Sequence, residues 1–73
     1  MNKQEVRLNK LNGTLEQYKN KEINKRIRLV YTIDDELAIH RQRDTKPEQF
    51  ADYNDTIEEI KAIVKEEIEE LLK

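Results

Sequence analysis

Arg26-Ile27-Arg28-Leu29-Val30-Tyr31-Thr32-Ile33 places Ile27, Leu29, Tyr31 and Ile33 at every second position. Alternation of this kind lays one face of a β-strand on a core and leaves the other in water. Ile, Val and Tyr favour such a half-buried pleat. The segment therefore predicts the strongest strand in the chain, with Arg26 and Arg28 together on the face opposite Ile27 and Leu29.

Working towards the N-terminus, Ile23 to Thr32 is preceded by Lys19-Asn20-Lys21, a turn signal, and by Asn12-Gly13. Asn-Gly suits the positive φ angles of a two-residue hairpin loop. Val6 and Leu8 alternate with polar neighbours, and Leu15 falls on their face if Leu11 pairs with Thr14. A competing reading starts from Thr14-Leu15-Glu16-Gln17, a capping-box pattern that would set Leu15, Tyr18 and Glu22 on a short helix. Asn20, Asn24 and the break at Gly13 weigh against that helix, because Asn favours turns over helix interiors. The hairpin is the preferred reading of residues 14–22.

Working towards the C-terminus, the period changes to three and four. Thr32 caps a helix whose first turn holds Asp34, Asp35 and Glu36, while His40, Arg41 and Arg43 sit at its other end, as the helix dipole favours. This short helix is expected from about Ile33 to Arg43. Thr45-Lys46-Pro47-Glu48 repeats the start signal, with Pro47 in the first turn. Phe50, Tyr53, Ile57, Ile60, Val64, Ile68 and Leu71 then form one apolar stripe, with acidic residues opposite. The expected fold class is α+β: a two- or three-stranded antiparallel hairpin or meander (residues 1–32) followed by a short and a long α-helix (residues 33–73), in a single domain.

Charge divides at the same point. Residues 1–32 hold eight basic and three acidic side chains, net +5, and residues 33–73 hold six and thirteen, net −7, giving −2 for the whole. Leu, Ile, Val and Phe number 7, 8, 3 and 1, or 19 of 73, above the ~20% of disordered chains. A folded domain with a thin core is expected, since a chain this short buries only about 60% of its unfolded surface. The long helix, some 27 residues, would extend roughly 40 Å, whereas a compact chain of this length has a radius of gyration near ~11 Å. Part of its apolar stripe should therefore find a second chain. Val64, Ile68, Leu71 and Leu72 are the candidate self-association residues of a homodimer, and Phe50, Tyr53, Ile57 and Ile60 should pack on the sheet.

Chemistry-bearing patterns are sparse. There is no Cys, one His and one Gly, which removes disulfides, thiolate metal sites, most nucleophile–base pairs and phosphate-cradling loops. Glu36, His40 and Asp44 share a helix face, but one His with two carboxylates is an incomplete metal shell. Asp52, Asp55 and Glu59 cluster on a solvated face, which offers neither convergence nor desolvation. No catalytic residue, cofactor or metal ligand is expected, and the chain is not expected to be an enzyme. Lys19, Lys21, Lys25, Arg26 and Arg28 form a candidate nucleic-acid patch on the basic sheet face, with Tyr18 or Tyr31 available for stacking. A basic cluster alone is weak support, and a solvated or ion-paired face is the preferred reading. The longest apolar runs are far too short for a membrane span, and no signal-type stretch opens the chain.

Tyr31-Thr32-Ile33-Asp34-Asp35-Glu36-Leu37-Ala38-Ile39-His40-Arg41-Gln42-Arg43-Asp44 and Lys46-Pro47-Glu48-Gln49-Phe50-Ala51-Asp52-Tyr53-Asn54, followed by an acidic helix, carry a family resemblance. Over about residues 28–66 the chain resembles small uncharacterised open reading frames of tailed bacteriophages and prophages. The resemblance implies a phage origin and the cytoplasm of a bacterial host, and nothing about activity. The functional expectation is a non-enzymatic, homodimeric interaction module that binds a host or phage protein, as assembly factor or inhibitor. The alternative is a nucleic-acid-binding accessory protein using the basic face.

Overall fold

The computed structural model describes residues 1–73, and it contains four helices and no strand. They are α1 (Lys3–Asn12), α2 (Leu15–Val30), α3 (Ile33–Arg41) and α4 (Pro47–Leu71). The α+β expectation is thus overturned in its first half: residues 1–32 form a helical hairpin instead of a β-hairpin.

Two local signals account for the difference. Gly13 does take a positive φ, 74°, yet the left-handed residue ends α1 instead of turning a β-hairpin. Its N–H donates to the Asn9 and Lys10 carbonyls, and the Thr14 N–H reaches back to the Asn9 carbonyl at 2.9 Å. Both hairpin loops and helix C-termini need this backbone conformation, so Asn-Gly serves either. The second signal is the stripe Leu15, Tyr18, Ile23, Ile27, whose spacings of three to five follow the helical period. Ile23 and Ile27 are buried, and Leu15 and Tyr18 pack beside them. Thr14 opens α2 as the capping-box pattern indicates, although its hydroxyl donates to Asn9 Oδ1 at 2.7 Å and makes no cap bond to α2. At the other end of α1, Asn2 Oδ1 accepts from the Glu5 N–H at 2.8 Å.

The helical half follows its sequence signals closely. Thr32 Oγ1 accepts from the Asp35 N–H at 3.1 Å, and Asp35 Oδ2 accepts from the Thr32 N–H at 3.0 Å, a complete capping box. Helix α3 ends two residues earlier than expected. Pro47 occupies the first turn of α4, but Thr45 does not cap it; its hydroxyl donates to the Gln42 carbonyl at 3.1 Å.

Helix α4 is the spine of the molecule. Its 25 residues extend about 37 Å at 1.5 Å each. Tyr31, just past α2, stacks on Tyr53, whereas Arg26 reaches Glu67, so α2 runs antiparallel to α4. Val6 of α1, Ile23 and Ile27 of α2, and Val64 and Ile68 of α4 form the main core. Helix α3 covers the N-terminal part of α4, where Ile39 and Tyr53 are buried. The result is a rod of 46 × 19 × 18 Å with a radius of gyration of 14.9 Å, not the compact body assumed from length. Two packed segments in line cover α4, so its C-terminal stripe does not overhang. Only seven of the 73 residues are buried, which leaves the fold with little reserve against loss of any one of them.

Candidate interaction surface

The corner between α2 and α3 is held from inside by one polar cluster. Glu36, half-buried on α3, accepts from the Tyr53 hydroxyl of α4 and pairs with Arg28 of α2. Arg28 Nη1 also donates to the Tyr31 carbonyl at 3.2 Å. Around them the rings of Tyr31, His40, Phe50 and Tyr53 pack mostly edge to face, with Tyr31 5.1 Å and His40 5.5 Å from Tyr53, the arrangement that ring quadrupoles favour. Three helices are thereby fixed at one junction.

These contacts shift titrations in opposite directions. The Tyr53 hydroxyl holds the Glu36 carboxyl below its ordinary range; burial opposes the shift and the Arg28 guanidinium adds to it. Burial, then the Glu36 carboxylate, pushes Tyr53 up to about 12. Tyr18 is pushed up to about 12 by burial and by Glu5, to which its hydroxyl donates at 2.8 Å. Glu36 is depressed in the fold, so its contribution is full above the unfolded carboxylate pKa of ~4.3 and lost as pH falls below it. The tyrosines are raised, so theirs is full below ~10 and lost as pH climbs from there towards 12. Thermal melts followed by circular dichroism should show a plateau from about pH 5 to 9, falling at both ends. In Glu36→Gln the acid limb should be shallower.

Outside this junction the corner is bare. Leu29 is 81% exposed, Val30 55%, Ile33 63% and Leu37 51%. They lie within nine residues of sequence, and Ile33 and Leu37 share one face of α3 at four-residue spacing. Leu8 and Leu11 form a smaller exposed pair on α1.

The residues expected to act are placed elsewhere. Val64 and Ile68 are buried in the chain's own core and Leu71 and Leu72 are half-buried against it, so the expected self-association stripe is largely spent within the chain. Of the candidate nucleic-acid patch, Lys19 pairs with Glu16 at 3.1 Å. Arg26 is held by Glu22 at 3.2 Å and Glu67 at 2.5 Å, and these contacts raise its pKa, the Glu67 bond foremost. Arg28 is committed to Glu36. Lys21 and Lys25 are the two members without an ion pair, and the sheet face meant to display all five does not exist. A shallow groove between α2 and α4 contains Lys19, Lys61 and Lys65, but Glu16 and Glu58 pair with the first two. Glu36 faces Arg28 and Tyr53 while His40 faces rings, and no three His, Asp or Glu side chains converge to hold a metal. Asp52, Asp55 and Glu59 are exposed.

In the sequence the alternation of Leu29 and Ile33 mimics a buried strand face, which hides the corner. On a helical wheel of α2, at 100° per residue, Leu29 lies 160° from Ile27's direction, which accounts for Leu29 alone. No protein-family model, curated protein or solved structure matches the chain. The phage resemblance over residues 28–66 thus rests on the sequence alone. No helix is long and apolar enough to cross a membrane.

Proposed function

We propose that the chain is a small non-enzymatic protein-interaction module that works as a homodimer and acts by binding another protein. The observation that carries this reading is the bare corner of Leu29, Val30, Ile33 and Leu37. Four apolar side chains within nine residues, each more than half exposed and next to the junction held by the Glu36 cluster, are what an interface offers before it is covered. A core of seven buried residues also gains from a partner, because only the folded state binds one. The nucleic-acid reading has lost three of its five cations to ion pairs. Sedimentation equilibrium tests the dimer: mass should rise from 8.8 kDa towards twice that value as concentration increases. A constant monomer mass would remove the homodimer from the proposal.

A further inference from the structure

We infer that a second copy of this chain seats on the α2–α3 corner about one two-fold axis, through Leu29, Val30, Ile33 and Leu37. The inference rests on the homodimer reading and specifies its surface. The first argument is area. A folded monomer of 8.8 kDa typically exposes about 4,800 Å², and this chain exposes 5619 Å². The surplus, roughly 800 Å², follows from the 46 × 19 × 18 Å rod shape and leaves free surface on the scale that each partner contributes to an interface of ordinary size. The second argument is self-complementarity, which an isologous contact requires. Lys25 lies one turn before Leu29 on α2, and Asp34 lies beside Ile33 on α3. Both are exposed, and neither forms an ion pair within the chain. A two-fold axis through the corner brings α2 of one copy to α3 of the other and offers each Lys25 an Asp34. The α1 pair, Leu8 and Leu11, has only two apolar side chains and cations around it (Arg7, Lys10), so two copies would meet there like charge to like.

Sedimentation equilibrium of the full chain and two double variants tests this, with circular dichroism on each. Ile33→Glu with Leu37→Glu should weaken dimerisation about 30-fold or more, the scale of an interface hot spot, at unchanged helicity. Glutamate suits the first turns of α3; Leu29→Ser, outside α3, is the second probe if that pair disturbs the helix. Leu8→Glu with Leu11→Glu should leave the dimer intact. A dimer that ignores the corner variants overturns the corner while the homodimer reading stands. A parent chain that stays monomeric up to millimolar concentration overturns both.

Discussion

Val64→Asp is expected to leave the chain unfolded, with the helical circular-dichroism signal lost at 25 °C. Val64 has no exposed surface and sits among Val6, Ile23, Ile27 and Ile68. An unpaired carboxylate placed there costs several kcal/mol after relaxation, against roughly 3–5 kcal/mol for a domain of this size. Val64→Ala, which only opens a small cavity, should cost about 2 kcal/mol and remain folded. The experiment separates two roles for the C-terminal stripe. A residue that served only self-association would yield a folded monomer on the aspartate change. A core residue yields loss of structure at every protein concentration, and that is the result expected here.

Tyr53→Ala should have the next largest effect, about 3–5 kcal/mol as for other buried aromatics. The change removes the ring against which Tyr31, His40 and Phe50 pack, and the hydroxyl that Glu36 accepts. Because the five-residue core lies towards the other end of the rod, the damage should begin locally. Amide exchange over residues 33–41 should accelerate before that of α2. Tyr53→Phe keeps the ring and leaves Glu36 its Arg28 partner, so about 1 kcal/mol is expected. Equal losses in the two variants would mean that the hydroxyl, not the ring stack, holds α3 in place.

The helical half was legible because its signals had one meaning. Thr32 with Asp35, the three carboxylates after it, and Pro47 point to helix starts and to nothing else. The basic half misled because its signals were shared. Asn12-Gly13 asks for a left-handed residue, which a helix end and a β-hairpin both use. Ile27, Leu29, Tyr31 and Ile33 alternate as a strand would, but α2 stops at Val30 and α3 starts at Ile33, so Ile27 and Leu29 lie on opposite sides of α2, Tyr31 in the link and Ile33 at the start of α3. Asn20 and Asn24 favour turns, but packing of Ile23 and Ile27 on α4 overrides that weak preference. The corner is illegible for a related reason: its exposure follows from where α2 ends, and a strand over residues 26–33 has no helix end there.

The core joins Val6 to Ile68, residues 62 positions apart in the chain. During synthesis the α1–α2 hairpin is complete 38 residues before Ile68 is added. At ribosomal rates of about 5–20 residues per second, that interval is roughly 2–8 s. For that time Ile23 and Ile27 have no α4 to cover them, and a two-helix hairpin has no other interior. Until α4 docks, the chain therefore offers an apolar strip to any chaperone that meets it, and chaperone binding should be lost once α4 has folded over α1 and α2.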